Sequence, residues 1–168
     1  MFVDNIRIFA RAGKGGNGLV SFRRAKFVPK GGPDGGDGGD GGSVILEVDP
    51  HTNDLRSFFY DPKLIATDGV GGQSAKKHGK NGKSVIGKVP PGTIIYRSNA
   101  SSMAEATWLE REGEGIELEK IADLTEIGTR FTLCQGGIGG KGNWHFRSAT
   151  NQAPTEAEMG TEGEEGVF

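Results

Sequence analysis

The 168-residue chain carries 20 Lys and Arg against 22 Asp and Glu, one cysteine, and 30 glycines, about 18% where roughly 7% is usual. A single cysteine excludes an intrachain disulfide framework and any multi-cysteine zinc site, and no stretch approaches the roughly 18 apolar residues of a membrane span. The start, Met-Phe-Val-Asp, has neither the basic patch nor the apolar run of a secretory signal, so a cytoplasmic location is expected.

Taken in chain order, residues 2–12 put Ile6, Ile8 and Ala10 on one face and Asn5, Arg7 and Arg11 on the other, the period of a half-buried strand. Similar runs, several β-branched or aromatic, predict strands at 19–23, 43–48, 55–59, 85–89, 93–97, 116–121 and 130–135. Many short strands between Gly and Pro turns predict an all-β fold, a barrel or a sandwich. One helix is expected at 102–112, where Ser102 and Glu105 are spaced as a capping box.

Three glycine-dense segments interrupt the strands, near 13–42, 69–84 and 136–152. The first ends in Gly31-Gly32-Pro33-Asp34-Gly35-Gly36-Asp37-Gly38-Gly39-Asp40-Gly41-Gly42. Gly-Gly-Asp repeats every three residues, the pitch of an extended polyproline II helix, which has no internal hydrogen bonds. Two glycines per turn let neighbouring backbones approach closely enough to pair, as buried amides require. Gly32, Gly35, Gly36, Gly38, Gly39, Gly41 and Gly42 are therefore the candidate structural glycines, with Asp34, Asp37 and Asp40 along one edge. The competing reading is a flexible linker.

Several motif matches fail on context. Gly13-Lys14-Gly15-Gly16-Asn17-Gly18 and Gly137-Ile138-Gly139-Gly140-Lys141-Gly142 fit G-x-G-x-x-G, but no helix is predicted to follow either and supply its N-terminus to a pyrophosphate. Gly79-Lys80-Asn81-Gly82-Lys83-Ser84 ends like a phosphate loop but is two residues too short. The aspartates lack the apolar anchors of calcium-binding repeats, and His51, His78 and His145 are dispersed, so no metal site is predicted. Cys134 is expected to be a small core residue, and no catalytic residues emerge.

Charge is segregated. Net charge is +2 over 13–42 and +4 over 67–88, but −6 over 105–126 and −5 over 155–168. Cations cluster in or beside the glycine-dense segments: Arg23, Arg24, Lys26 and Lys30; Lys76, Lys77, Lys80 and Lys83; and Lys141, His145 and Arg147. Interleaved with Phe27, Trp144 and Phe146, they offer the phosphate contacts and stacking planes that bind RNA. The alternative is a protein-interaction or structural module that binds a partner through its acidic faces.

Met1-Phe2-Val3-Asp4, GKGGNG at 13–18, Ser21-Phe22-Arg23-Arg24, PKGGPDGGDGGDGG at 29–42, VPPGT at 89–93, DLTE at 123–126 and GGIGGKGN at 136–143 together resemble the N-terminal domain of the Obg (CgtA) family. The resemblance implies one domain over 1–168, a β-barrel base with a projecting lobe of polyproline II helices, acting as a monomer. It also implies a larger protein that binds GTP, GDP and guanosine tetraphosphate, hydrolyses GTP slowly with Mg2+, and serves large-subunit assembly and growth control. This domain would then dock on ribosomal RNA near the peptidyl-transferase region, with the GTPase domain in cis and missing from this chain, which is expected to be truncated before it. The stretch 98–121 is longer and more acidic than the family pattern and is expected to be an insertion.

Overall fold

The computed structural model describes residues 2–24, 31–113 and 115–168. The described elements are mostly strands: β1 (Phe9–Arg11), β2 (Val44–Val48), β3 (Lys63–Ile65), β4 (Val85–Val89), β5 (Thr93–Ser98), β6 (Leu118–Leu124), β7 (Arg130–Cys134) and β8 (Glu165–Val167). Helices α1 (Arg56–Tyr60) and α2 (Met103–Glu112) and a 3-10 turn (Asn143–Phe146) complete them, a composition consistent with the all-β class.

Alternation in β2 buries Val44, Leu46 and Val48 and turns Ile45 and Glu47 outward. β2 is the centre of one sheet, parallel to β4 and antiparallel to β7, with a register shift between Val44 and Ile45. On its outer face Glu47 meets Arg130 at 3.2 Å. A second sheet has the order β3-β1-β8, and β5 pairs antiparallel with β6. The three sheets bury one core, with Ala10, Val44 and Cys134 fully enclosed and Val48, Val89, Ile95, Leu124 and Leu133 nearly so.

Four strand expectations need correction. Over 2–12 the predicted alternation holds, but only Phe9–Arg11 is strand, because β3 and β8 offer partners for those three residues alone. Residues 19–23 form no strand, only the bridge Phe22–Pro33. Their neighbours run with a three-residue repeat, which a period-two ladder cannot follow. Residues 55–59 fall largely in α1: Leu55 and Phe58 are three apart, a helical spacing, and Phe58 inserts into the core. The predicted strand at 116–121 begins two residues later and extends to Leu124. β3 and β8 are too short to carry a periodicity of their own.

The helix at 102–112 forms with Ser102 as its cap, Oγ accepting from the Glu105 amide at 3.1 Å. Glu105 reaches back to the amide and hydroxyl of Ser101 rather than to Ser102. Those two bonds, the hydroxyl's first, hold its carboxyl below the ordinary glutamate value. Gly113 ends the helix in the left-handed conformation.

Beyond the sheets, six extended runs lie side by side: 13–19, 34–42, 67–73, 77–83, 136–143 and 158–163. They pair every third residue. Gly36, Gly39 and Gly42 donate to the carbonyls of Gln73, Val70 and Thr67. Gly38 and Gly41 donate to Gly140 and Gly137, while Gly137, Gly140 and Asn143 donate to Gly13, Gly16 and Leu19. Side chains take the amides that carbonyls leave. Asp37 and Asp40 accept from Gly142 and Gly139, both at 2.8 Å, and Asn81 and Asn17 accept from Asp40 and Gly160, both at 2.9 Å. These amides are thereby satisfied without a hydrophobic core.

This packing explains the glycine. A Cβ at Gly35, Gly36, Gly38, Gly39, Gly41 or Gly42 would lie far under 3.0 Å from a neighbouring carbonyl oxygen. None of these has a positive φ; among the described residues the glycines that do are Gly92, Gly113 and Gly128. Close approach, rather than turn geometry, excludes side chains here. Gly32 differs: nothing lies within 4 Å of its Cβ position.

Candidate nucleic-acid interface

The hydrogen bonds fix which runs are outermost. Segment 77–83 bonds to 34–42 and 67–73, whereas 158–163 bonds to 13–19 and 136–143. Among the described residues the two outer runs share no hydrogen bond. They carry opposite charge. Lys77, Lys80 and Lys83 stand exposed at three-residue spacing on the first, and Glu158 and Glu162 stand exposed on the second, with Glu156 just before it and Glu164 just after. Apart from the Lys14–Glu162 pair at 3.5 Å, no lobe lysine is paired within 4 Å among the described residues. The lobe is therefore polarised from one edge to the other.

The individual cations occupy different levels. Lys83 sits at the root beside β4, its amide on the Thr67 hydroxyl at 2.6 Å. Lys80 is one repeat farther out and Lys77 another. Lys76 occupies the turn, where it and Ala75 both take φ of 58°, sparsely populated for residues with a Cβ. Asp34 holds that turn: its carboxylate accepts from the Ala75 amide at 3.2 Å and its carbonyl from Lys76 at 2.6 Å. Lys76 Nζ lies 5.1 Å from the centre of the Trp144 ring, a cation–π contact that covers the expected stacking plane. Arg23 donates its amide to Gly32, and Arg147 borders a hollow lined by Gly31 and Gly32, so these two arginines flank the same backbone. Arg24 is exposed next to Arg23. Lys26 and Lys30 lie outside the described residues.

Lys141 is set apart, in a cleft of about 450 Å³ with Asp37, Asp40, His78 and Asn81. Asp37 is the organising group there. Its carboxylate accepts from Gly142 and from His145 Nε2 at 2.8 Å, with His78 Nδ1 at 3.8 Å. Burial pushes its pKa up, but the Gly142 bond, the His145 bond and charge, and the His78 charge outweigh burial and hold it below the ordinary value. His145 is thus tied to a carboxylate and packed at a 36° tilt against Trp144, ring centres 4.1 Å apart, rather than presented freely to a ligand.

The glycine motifs acquire definite surroundings. Gly79–Ser84 runs directly into strand β4, with no helix to supply a dipole. Contrary to the sequence expectation, Gly137–Gly142 does lead into a helical turn, but of four residues and of 3-10 type. Its first amides are taken by the Asp37 carboxylate and the Leu19 carbonyl, where a phosphate would need them. Sequence reasoning missed Asn143, which is fully buried. Its Oδ1 accepts from Gly35 at 2.8 Å and its Nδ2 donates to Ser21 at 3.0 Å and Pro154 at 3.1 Å. The available signal was its position: a polar residue in the repeat slot after Gly137 and Gly140.

Cys134 lies in the core with Sγ 3.6 Å from the Ala10 carbonyl, and burial pushes its thiol up to about 11. Among the described residues no three His, Cys, Asp or Glu side chains gather as metal ligands, and no helix is long and apolar enough to cross a membrane.

A small all-β base bearing a coreless, amide-locked glycine lobe defines a narrow class of domain. The chain belongs to the GTP1/OBG family, whose model matches residues 3–168. It is 99% identical to "GTPase Obg" of Akkermansia muciniphila over all of this chain and 48% of that protein. It is 48% identical to "GTPase Obg" of Methylacidiphilum infernorum, over 100% of this chain and 47% of the relative. Against "GTPase Obg" of Chlorobium chlorochromatii the identity is 50%, over 98% and 44% respectively. The chain spans about half the length of these relatives.

Proposed function

We propose that this chain is the ribosome-docking, rRNA-binding domain of a GTPase, and that the lysine edge of its lobe leads the contact. The whole protein would bind GTP with Mg2+ in its remaining half, hydrolyse GTP, and act in large-subunit assembly in the cytoplasm. The base is read as a barrel and the lobe as a bundle of polyproline II helices; the three-residue hydrogen-bond repeat supports the latter. The observation that carries the functional reading is the exposed run Lys77, Lys80 and Lys83 on an outer segment, without an ion pair among the described residues. At about 3.1 Å per residue these side chains recur roughly every 9 Å along one edge. A stiff lobe with cations at fixed spacing meets a phosphate backbone without losing much conformational freedom. Arg23, Arg24, Lys76, Lys141 and Arg147 extend the cationic surface toward and around the tip.

A second reading is a protein partner on the acidic edge, favoured by the exposed Ile138 and Met159 beside Glu158. Co-sedimentation with isolated large ribosomal subunits across a salt series separates the two. Three phosphate contacts contribute a salt slope of about −2.1 to −2.7, or roughly 20- to 40-fold in affinity between 50 and 200 mM. Reversing Lys77, Lys80 and Lys83 to Glu is expected to weaken binding and flatten the slope by that amount, whereas Glu156, Glu158 and Glu162 to Gln leaves both unchanged. The opposite outcome replaces the RNA reading with the protein-partner reading.

A further inference from the structure

We propose that the outer face of α2, centred on Trp108, is the seat on which the polypeptide that follows β8 in the longer protein packs. The helix sits directly over the last strand. Ala106 and Val167 are buried together in a small cluster with Ala100, against which Phe9, Met103 and Leu109 pack. Glu110 pairs with Arg7, and the next residue, Ile8, holds Phe168 by two backbone bonds of 2.8 and 2.9 Å. The chain therefore reaches Phe168 in a fixed position, on the strand that α2 covers. The 99% identical relative is about twice as long, and the part matched is its N-terminal part. At about 3.3–3.6 Å per extended residue, a few residues past Phe168 span the width of a helix.

The composition of the outer face fits a seat rather than a solvated surface. Glu105 is engaged by Ser101 and Glu110 by Arg7, which leaves Trp108 flanked by Thr107, Arg111 and Glu112. Trp108 is 54% exposed on a helix whose inner face is already occupied by Ala106, Met103 and Leu109. A large aromatic ringed by polar side chains is the anatomy of an anchor with its rim. Arg111 and Glu112, neither in an ion pair among the described residues, supply one charge of each sign at the rim. The acidic stretch then works at the junction with the following domain, remote in role from the lysine edge.

Amide hydrogen exchange over 103–112 tests this directly, in the 168-residue chain and in the full-length protein at the same concentration. Exchange is expected to be at least tenfold slower in the full-length protein. Trp108→Ala in that protein should restore the faster rate, while Trp108→Phe keeps most of the protection. Amides of β2 report that the base remains folded in every variant. Equal rates in the two proteins, or protection that survives Trp108→Ala, would overturn the proposal. Protection that grows with the concentration of the short chain would also overturn it, because the occupant would then be a second copy.

Discussion

Replacing Gly36 by alanine adds one methyl group at a point where the Lys77 carbonyl leaves no space. The obstacle is backbone on both sides, so no rotamer change relieves it. Restoring even the tight end of normal contact, about 3.4 Å, requires the segments 34–42 and 77–83 to part by about an ångström or more. The bonds Gly36–Gln73 and Gly79–Asp37, both 2.8 Å, and Gln73–Lys77 at 2.9 Å lie closest to that separation. A buried polar group left unsatisfied costs about 1–3 kcal/mol, so loosening two or three of these amounts to roughly 3–6 kcal/mol. That is a large share of the roughly 5–15 kcal/mol that holds a domain together. Gly71→Ala is the matched control, since the nearest atom to its Cβ position is the Asn17 carbonyl oxygen at 3.6 Å, an ordinary contact. It should be neutral, or stabilising by up to about 1 kcal/mol through the unfolded chain. Amide exchange read by mass spectrometry should show Gly36→Ala releasing 34–42, 67–73 and 77–83 while β2 and β7 stay protected. Wild-type protection in those three runs, with an unchanged Tm, would refute the close-approach account of the glycines.

The Asp37 site makes a pH prediction. Its folded pKa is depressed, so its contribution to stability is complete above the unfolded value of about 3.9 and is lost as pH falls through the lower native value. Protection of Gly142 and its neighbours should fall over that acid window in the wild type, and Asp37→Asn should abolish the step when exchange is followed by NMR. Asn143→Ala leaves the Gly35 amide and the Pro154 carbonyl without their partner, and the Ser21 carbonyl with the Asp34 amide alone, and should cost about 2–4 kcal/mol in urea unfolding. Wild-type stability in that variant would show that water replaces the side chain.

The parts legible in the sequence are those whose periodicity belongs to a single segment. β2 and β4 alternate over five residues each, β5 and β7 are short runs rich in apolar and β-branched residues, and the Ser102–Glu105 spacing marks the start of α2. β1, β3 and β8 are three residues each and exist because they border one another, a fact no local pattern records. α1 was hidden because a five-residue run with apolar residues at 55, 58 and 59 fits either period. The Asp spacing pointed to an ordered lobe edge, but its partners, Gly139 and Gly142, lie about a hundred residues away. Likewise charge counting located the cations by segment, whereas the opposition of the lysine and glutamate edges depends on which runs are outermost.

The lobe is held almost wholly by backbone amides and polar side chains, and the base by apolar burial. The two should therefore respond to temperature in different ways. Exposing apolar surface raises the heat capacity of unfolding by about 0.45 cal/K/mol/Å², whereas exposing polar surface lowers it by about 0.26. Opening the lobe mainly hydrates peptide groups, so its heat-capacity change per residue is small or even negative, and its stability varies almost linearly with temperature. The base follows the usual curved profile and loses hydrophobic drive on cooling. In the cold, then, the glycine lobe keeps its rigidity while the apolar base beneath it weakens.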